Sequence, residues 1–564
     1  MKILGIANAE TSSAVIFDDG RLIAAASEER FTRKKMDESY PYNSINYVLN
    51  ESEISKTEID IISYAWSKGF PEDALYSQFD RVQKLETEEK NIFLERLKVE
   101  QARDFPKRDE FWKIISNDSE FETAVIEDFY HHEAHALSAC MMSPYDECAV
   151  LTCDGRGDYE SLTFSYFDKH SNTLKKLYSS NTIDSLGFFY GRITGLLGYT
   201  PCRHEGKITG LAAHGNPRNA KSLMEKIITY ESGHICSKMG DYYRPFYSNY
   251  SDALIEEIGR YSKEDVAAAA QYHLEEVLAK FVRDQYEKNG LQNLPLCLAG
   301  GVFGNVKVNA KLRDLNCVSG LFVQPQMGDG GLAIGAACGS MKKRGITPMP
   351  SETMALGPNG GCIDSLISEK QSLGFQFKKL SAENLQDAIV SQLMDSQVVG
   401  LVRGRMEFGP RALCNRSIIF KTSDTSCNDW LNKRMNRTEF MPFAPVLTAE
   451  NAKKHISPFE LNDQSLWFMT ATVNVSDQFK KLCPAVTHID GTARPQIVSE
   501  ARDAWLHLLL RKWESQSGEL ALINTSFNRH EEPIVQTYSE AFTNLENGVV
   551  DVLVLDDYFV TKTL

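Results

Sequence analysis

Hydrophobic and polar positions near the N-terminus alternate in short runs that predict three successive strands. The runs cover residues 2–7, 13–17 and 21–27, and the Asp-Asp-Gly sequence between the last two is typical of a tight turn. A helical pattern follows at residues 43–50. The chain therefore begins with elements in the order that α/β domains use.

The same order of elements returns in the middle of the chain. A strand is predicted at residues 148–153, a polar glycine loop at 154–158 and a second strand at 160–168. Two copies of a strand-loop-strand unit are expected of a duplicated α/β nucleotide-binding fold. Two unrelated hairpins would give the same pattern, and these segments alone do not separate the two interpretations.

Two later glycine-rich junctions favour the duplicated fold. The strand predicted at 294–298 runs into Gly300 and Gly301 and then into a helix from about Asn305, and the strand at 321–324 leads into a loop with three glycines and a small-residue helix. Glycines at a strand-to-helix junction let backbone N–H groups approach a phosphate or ribose.

A segment rich in proline and glycine, residues 344–361, lacks periodicity and is typical of a connection between domains. Beyond it, a helix at 385–394 and a strand at 397–402 indicate a second α/β domain. The predicted divisions are a domain 1–345, a linker 346–379 and a second domain 380–564.

Length and composition narrow the class of protein. A chain of 564 residues predicts two or more domains, and 42% hydrophobic residues are enough for buried cores. The net charge of −15 argues against a large nucleic-acid-binding face. The twelve cysteines form no Cys-x-x-Cys pair, and the N-terminal run resembles neither a signal peptide nor a membrane span. We therefore expect a cytoplasmic protein.

Cationic residues are concentrated in the second predicted domain, beside loops rich in hydroxyl and amide groups. Guanidinium forks next to such groups suit phosphate or carboxylate recognition, although surface ion pairs are the alternative for any single arginine. The residues are Arg403, Arg405, Arg411, Arg416, Lys433, Arg434, Arg437, His488 and Arg494, followed by Asn524, Thr525, Ser526 and Asn528.

Six segments in this order resemble the O-carbamoyltransferases of nodulation-factor and antibiotic biosynthesis: "SEERFTRKK", "EGKITGLAAHG", "GRMEFGPRALCNRS", "RTEFMPFAPV", "HIDGTARPQ" and "NTSFN…EPIV". The resemblance covers most of the chain. It implies an α/β protein whose N-terminal domain has a duplicated actin- and Hsp70-like ATPase fold, and whose C-terminal domain is YrdC-like.

The resemblance also implies a two-step reaction. Carbamoyl phosphate and ATP, the latter with Mg²⁺, would form carbamoyl adenylate in the YrdC-like domain, and the carbamoyl group would then pass to a hydroxyl of a small-molecule acceptor such as a sugar or natural product. Cations there would offset the repulsion between the two polyanions. The residues implied are Arg411, Arg416, Lys433, Arg437, His488, Arg494, Asn524 and Ser526.

His131 and His135 stand four positions apart, so that on a helix they share one face and can hold one metal ion. Taken alone, such a pair is more often incidental. The resemblance implies that both bind iron together with Asp154 and Asp329, and this ligand set suits Fe²⁺ without excluding Mn²⁺ or Zn²⁺. His132 points off the shared face.

The resemblance further implies a nucleotide beside the metal and a general base for the acceptor hydroxyl. Members of the family carry His-Asp after the first strand where this chain has Glu10-Thr11, so Glu10, His204 and His214 are alternative bases. The residues implied for the nucleotide are Ser12, Lys35, Lys207, Gly300, Gly301, Asn305 and Gly330.

Two other functions remain open at this point. One is a carbamoyl or threonylcarbamoyl transferase that modifies nucleic acid, which the acidic charge disfavours. The other is a non-catalytic ATPase-fold protein, which would have no need of a second, arginine-rich domain. A homodimer is left open, and the residues that select the acceptor, expected in loops at 70–125 and 235–265, do not reveal what they fit.

Overall fold

The computed structural model describes residues 1–69, 71–244, 250–437 and 442–562. The chain divides into two compact units, the first formed by residues 1–24 and 38–350 and the second by residues 25–37 and 351–564. The helices that the structure describes include none with the length and apolar character needed to cross a membrane.

Helices occur throughout both units and are numbered in chain order. They are α1 Glu29–Thr32, α2 Tyr42–Ser52, α3 Glu72–Gln83, α4 Thr87–Asn117, α5 His131–Cys140, α6 Leu186–Leu196, α7 Glu205–Ala212, α8 Pro217–Glu225, α9 Asp252–Ile258, α10 Lys263–Asn289, α11 Val306–Arg313, α12 Leu332–Lys342, α13 Asp364–Gln371, α14 Ala382–Met394, α15 Cys427–Arg434, α16 Ala449–His455, α17 Gln464–Trp467, α18 Asp477–Leu482, α19 Ala504–Ser517 and α20 Tyr538–Glu546. Short 3₁₀ helices cover Lys56–Glu58, Ser119–Phe121, Gly301–Gly304, Asp329–Gly331 and Pro484–Val486.

Two sheets of the first unit have the same strand order, β3-β2-β1-β4-β5 and β8-β7-β6-β11-β12, and a hairpin pairs β9 with β10. Strand β1 runs antiparallel to β2 and parallel to β4, and β4 runs parallel to β5. In the same way, β6 runs antiparallel to β7 and parallel to β11, and β11 runs parallel to β12. The strands are β1 Lys2–Ala7, β2 Ser13–Asp18, β3 Arg21–Ser27, β4 Ile61–Tyr64, β5 Val125–Asp128, β6 Glu147–Gly157, β7 Glu160–Asp168, β8 Thr173–Asn181, β9 Ile228–Glu231, β10 His234–Ser237, β11 Leu296–Ala299 and β12 Leu321–Val323. The predicted duplication, and with it the actin- and Hsp70-like fold, is confirmed.

Helices α5 and α12 lie between these two sheets. Each follows the last strand of one sheet and packs against the other sheet, α5 on β6 and β11 and α12 on β1 and β4. The helices also pack on each other so closely that a Cβ added to Gly335 would lie 1.8 Å from the carbonyl oxygen of Ala134. The carboxyl ends of β1, β6 and β12 are thereby brought to the start of both helices.

Gly335→Ala is expected to destabilise the protein by about 2–3 kcal/mol or more, because the two helix backbones would have to separate to admit the methyl group. Urea unfolding followed by circular dichroism measures the effect. Gly206→Ala is a matched control, since Gly206 is also helical and a Cβ there meets nothing within 4 Å. Equal unfolding midpoints for the two variants would contradict the close contact of α5 with α12.

The second unit is built on one large sheet of order β13-β23-β22-β14-β15-β21-β16-β20, with a small sheet β17-β18-β19. Hydrophobic clusters cover the large sheet from residues that alternate along its strands. The strands are β13 Phe375–Lys379, β14 Val399–Val402, β15 Arg416–Lys421, β16 Ala444–Thr448, β17 Ile456–Ser457, β18 Val473–Val475, β19 Thr492–Ala493, β20 Gln496–Val498, β21 Leu522–Ser526, β22 Val552–Leu555 and β23 Tyr558–Lys562.

The unit boundaries differ from the predicted divisions in two places. Helix α13 and strand β13 lie within the predicted linker 346–379, and β13 pairs antiparallel with β23 as part of the large sheet. Residues 25–37, near the N-terminus, belong to the second unit. There Ala25 donates its N–H to the carbonyl of Leu356 at 3.1 Å, and Arg33 donates to the carbonyl of Pro533 at 2.7 Å.

Candidate metal and anion sites

Two histidines and two aspartates converge at the ends of strands in the first unit. His135 Nε2 lies 3.1 Å from Asp154 Oδ2 and 3.6 Å from Asp329 Oδ1. His131 Nε2 lies 3.7 Å and 3.8 Å from the same two oxygens. One ligand atom from each residue falls within 4.8 Å of all the others. We call these four residues the His–Asp cluster.

Local geometry directs each carboxylate of the cluster. The register of β6 shifts between Cys153 and Gly157, and such a bulge re-aims the side chains within it, here Asp154. Asp329 begins the 3₁₀ turn before α12, and its other oxygen accepts the backbone N–H of Glu10 at 3.1 Å. The histidines occupy the first two turns of α5, on one face as their spacing predicts.

The His–Asp cluster is buried and rich in unsatisfied donor atoms. The side chains of His131 and His135 are 2% and 0% exposed. Within the described part of the chain, His131 has no hydrogen-bond partner on either ring nitrogen. Burial lowers the pKa of His135, but hydrogen bonds that the imidazole donates to Asp154 and Asp329 outweigh it and raise the pKa to about 9. Two imidazoles and two carboxylates so placed fit a divalent first-row cation.

His132 takes no part in the cluster, because its Nδ1 lies 2.8 Å from the hydroxyl of Thr152 instead.

Glu10 lies beside the cluster. Its pKa is raised to about 8, chiefly by burial and then by the charges of Asp329 and Asp154, while a hydrogen bond with Cys202 opposes the shift. A cation bound in the cluster would cancel the contribution of the two aspartates. Of the alternative bases, His214 is exposed and His204 accepts the N–H of Thr200 on Nδ1 at 3.1 Å.

Three of the residues predicted for the nucleotide lie at strand ends near the cluster. Gly300 has φ +108°, and a Cβ there would lie 2.2 Å from the carbonyl oxygen of Cys153. A Cβ on Gly301 would lie 3.1 Å from Asp154 Oδ1, and Gly330 accepts the hydroxyl of Ser13 at 2.8 Å.

The other four residues predicted to bind the nucleotide lie in different surroundings. The hydroxyl of Ser12 is buried without a partner among the residues described. Asn305 caps α11 by accepting two backbone N–H groups and donates to Gln271 at 2.8 Å, so its amide is engaged within the fold. Lys207 is buried on α7. Lys35 belongs to the second unit, where Glu531 and Arg437 are its charged neighbours.

Two arginines of the second unit form a candidate anion site. Burial, together with the neighbouring charge of Arg494, lowers the pKa of Arg411 well below its usual range. Asn524 ties their loops together by donating to the carbonyl of Ala412 at 2.9 Å and to Gln496 Oε1 at 2.6 Å. Two like charges that act on each other in this way favour a bound anion.

The Asn-Thr-Ser-Phe-Asn segment, residues 524–528, accepts hydrogen bonds from Arg437. The guanidinium donates to the hydroxyls of Thr525 and Ser526, each at 2.9 Å, and to Asn528 Oδ1 at 2.7 Å. The predicted Ser526 therefore lies with Arg437 at the carboxyl end of β21.

Arg416 has a different use from the predicted one. Its buried guanidinium donates to backbone carbonyls of Pro358, Gly404, Gln536 and others, which fixes the loops around it and leaves it structural.

The remaining cationic residues that were singled out in the second unit have separate surroundings. Lys433 is exposed, and His488 Nδ1 lies 3.1 Å from the hydroxyl of Thr492. Arg403 and Arg434 form ion pairs with Asp503 and Asp551, as the surface-pair alternative expects.

Sequence reasoning missed Glu407 and Asp158. Glu407 accepts the N–H groups of Asn415 at 2.8 Å and Arg416 at 3.3 Å, and so organises the loop that carries Arg411. Asp158 accepts the N–H of His131 at 2.7 Å. The available signals were an acid beside Gly-Pro for Glu407 and a glycine-rich loop just after Asp154 for Asp158.

Comparison with known proteins places these sites in a family. Residues 2–338 match the family described as Carbamoyltransferase N-terminus, and residues 390–562 match Carbamoyltransferase C-terminus. The nodulation protein NolNO of Sinorhizobium fredii is 32% identical over 571 residues, which span 98% of this chain and 78% of that protein. An uncharacterized protein of Methanocaldococcus jannaschii, MJ1051, is 30% identical over 99% of both chains.

A relative with a named reaction is the 3′-hydroxymethylcephem-O-carbamoyltransferase of Amycolatopsis lactamdurans. It is 27% identical over 445 residues, which span 76% of this chain and 79% of that protein. The two family matches extend over parts of both units and include the His–Asp cluster, Arg411 and Arg494. The chain therefore belongs to the carbamoyltransferase family and is a carbamoyltransferase.

Proposed function

We propose that the protein is an ATP-dependent O-carbamoyltransferase with two half-reactions. In the second unit, water converts carbamoyl phosphate to carbamate and phosphate, and a carbamate oxygen displaces pyrophosphate from ATP to give carbamoyl adenylate. The carbamoyl group then passes to a hydroxyl of a small molecule in the first unit, with AMP as the leaving group. The observation that carries this proposal is the geometry of the His–Asp cluster in one unit, together with a chemically different set of cationic residues in the other, where Arg437 is held by Thr525 and Ser526 and the charge of Arg494 acts on Arg411. A simple ATPase would need only one site of this kind.

In the second unit, Arg411 and Arg494 offset the charges of carbamoyl phosphate and of the ATP phosphates, which enter with Mg²⁺. Arg437, whose guanidinium donates to the hydroxyls of Thr525 and Ser526 on β21, adds a third cation. The buried Oδ1 of Asn524 has no partner in the described ranges, so it is available to accept an N–H of the carbamoyl group. Preorganised donors and acceptors of this kind stabilise developing charge without reorganising.

In the first unit, His131, His135, Asp154 and Asp329 would hold a divalent cation, for which we propose Fe²⁺. When bound, it supplies Lewis-acid polarisation of the carbamoyl carbonyl. Gly300, Gly301 and Gly330 allow the adenosine part to approach the backbone, and the hydroxyl of Ser12 donates to its phosphate. Glu10 accepts the proton of the acceptor hydroxyl.

The acceptor proposed is a hydroxylated small molecule and the setting is the cytoplasm. The relative from Amycolatopsis lactamdurans is named for a hydroxymethyl acceptor, which supports an alcohol. The net charge of −15 opposes a polynucleotide acceptor, because phosphate backbones bind to basic surfaces.

The test is to incubate the purified protein with ATP and carbamoyl phosphate and to look for carbamoyl adenylate by mass spectrometry. Hydroxylated compounds are then added, and each is examined for gain of a carbamoyl group. ATP cleavage without carbamoyl adenylate would overturn the proposal. Carbamoylation of tRNA in preference to every small molecule would overturn the acceptor class alone.

Glu10→Gln is expected to lower acceptor carbamoylation by about 10²–10⁴-fold, because the amide cannot take the hydroxyl proton. Carbamoyl adenylate formation should be unchanged, so the two half-reactions are measured separately. Glu275→Gln is the matched control, since Glu275 is also a half-buried carboxylate of the first unit, and it accepts from Gln271 at 2.7 Å. Normal transfer by Glu10→Gln would assign the proton to another group, with His204 the next to test.

A further inference from the structure

The hairpin between β6 and β7 contacts His131 on two sides. A Cβ on Gly157 would lie 2.2 Å from the imidazole, so the backbone there packs directly against the ring. Asp158 Oδ2 accepts the backbone N–H of His131 at 2.7 Å. As the first residue of α5, His131 has no helical partner for this N–H, and a carboxylate at a helix N-terminus is electrostatically favourable.

The tip of this hairpin keeps an unfavourable backbone conformation. Asp158 and Tyr159 have φ +50° and +67°, in the left-handed region that two-residue hairpin turns usually fill with Asn-Gly or Gly-Gly. Such strain persists where surrounding contacts impose it, often at functional sites. Here the contact that accompanies the strain is the bond from His131 to Asp158.

Arg108 of α4 contacts two residues that adjoin His131 in space, Asp158 and Trp66. Its guanidinium donates to Asp158 Oδ1, and the side chains of Arg108 and Asp158 are 6% and 0% exposed. The guanidinium carbon also lies 5.2 Å from the ring centroid of Trp66. The Trp66 ring meets the His131 ring edge-on, with centroids 5.9 Å apart at 63°.

Other charged residues of α4 bind the strand that carries Asp154. Asp104 accepts both guanidinium nitrogens of Arg156, one of them at 3.1 Å, and Glu100 lies 3.5 Å from Arg156 Nε. Arg96, on the same buried stripe, pairs with Glu100 at 2.5 Å and lies over the ring of Phe188 at 4.9 Å. Helix α4 is therefore fixed to the β6–β7 segment by buried ion pairs.

We propose that Arg108 and Asp158 are positioning residues for His131, through which helix α4 sets the geometry and affinity of the metal site. The inference rests on the proposed function of the His–Asp cluster. Removing the guanidinium leaves the carboxylate of Asp158 buried without its counter-charge, so the hairpin relaxes toward water. The N–H of His131 then loses its acceptor and the imidazole its packing surface.

The test uses Co²⁺ as a spectroscopic probe of the metal-free full-length protein. Arg108→Met keeps the length of the side chain without the charge, and we expect Co²⁺ to bind about 10–100-fold more weakly, as for other residues that orient metal ligands. The Co²⁺ d–d absorption should change shape, because the ligand geometry changes. Carbamoyl adenylate formation should match that of the wild type, and Arg108→Lys should recover part of the affinity.

Arg96→Met is the matched control. It removes a buried arginine from the same stripe of α4, twelve residues before Arg108. The partner of Arg96 is Glu100, which lies near Arg156, so this variant reports the cost of weakening the attachment of α4 to β6 without removing the ion pair with Asp158. It should leave the Co²⁺ affinity and spectrum at their wild-type values. Equal weakening by Arg96→Met and Arg108→Met would reduce Arg108 to a stability role and overturn the proposal.

Two further outcomes are decisive. If Arg108→Met does not fold, the double variant Arg108→Met/Asp158→Asn removes the lone buried charge, and wild-type Co²⁺ affinity in that variant would overturn the proposal. If the wild type binds Co²⁺ through His131 and His135 but Arg108→Met binds it equally well, only this inference fails. If the wild type binds no Co²⁺, the metal site and this inference fail together.

Discussion

Replacing His131 and His135 together by alanine is expected to remove the bound metal and to lower carbamoyl transfer to an alcohol by at least about 10³-fold. Two of four donors are lost, and the several kcal/mol that a Lewis acid contributes to such a step corresponds to that factor. The measurements are metal content by elemental analysis and the rate of acceptor carbamoylation. Carbamoyl adenylate formation in the second unit should continue.

His132→Gln is the control for this double variant. His132 is as buried as its two neighbours on α5 but bonds to Thr152, outside the His–Asp cluster. It should therefore retain metal and transfer. Metal content and transfer at wild-type level in the His131→Ala/His135→Ala variant would place the metal site elsewhere.

Arg494→Ala is expected to lower the rate of carbamoyl adenylate formation by about 10²–10³-fold, because one of two adjacent cations that face the polyanions is removed. Arg411 is left to act alone, and burial, the larger cause of its lowered pKa, is unchanged. The measurement is carbamoyl adenylate formed per enzyme with carbamoyl phosphate and ATP as the only substrates.

Arg511→Ala is the matched control for Arg494→Ala. Arg511 lies in the same unit, is 51% exposed and pairs only loosely with Glu514 at 3.7 Å, so its loss should change neither rate nor stability appreciably. Adenylate formation that survives Arg494→Ala would show that the arginine pair does not serve this half-reaction.

Much of the fold followed from hydrophobic patterning, because the strands that were predicted are buried and short. The run at 21–27 coincides with β3, and the helix carrying His131 and His135 begins at His131. Helix α4 was not predicted from the sequence, and the reason is physical. Its buried face carries Arg96, Glu100, Asp104 and Arg108, so the apolar period of an amphipathic helix is missing.

The candidate sites were predictable to a different extent. The four members of the His–Asp cluster were named from the resemblance, and the structure brings them together. The use of Arg416 was not predictable, because its partners are backbone carbonyls, which every residue carries and no pattern of side chains signals. Asp158 was missed because its bond to His131 joins two segments far apart in sequence.

The membership of residues 25–37 in the second unit has a consequence for synthesis in the cell. On the order of 300 residues separate this segment from residue 351, where the rest of its unit begins. At ribosomal rates of roughly 5–20 residues per second, the segment waits about 15–60 s for its partners. During that interval Arg33 lacks the carbonyl of Pro533, to which it donates in the finished protein. The second unit is thus begun before most of the first has been made, and it is completed last.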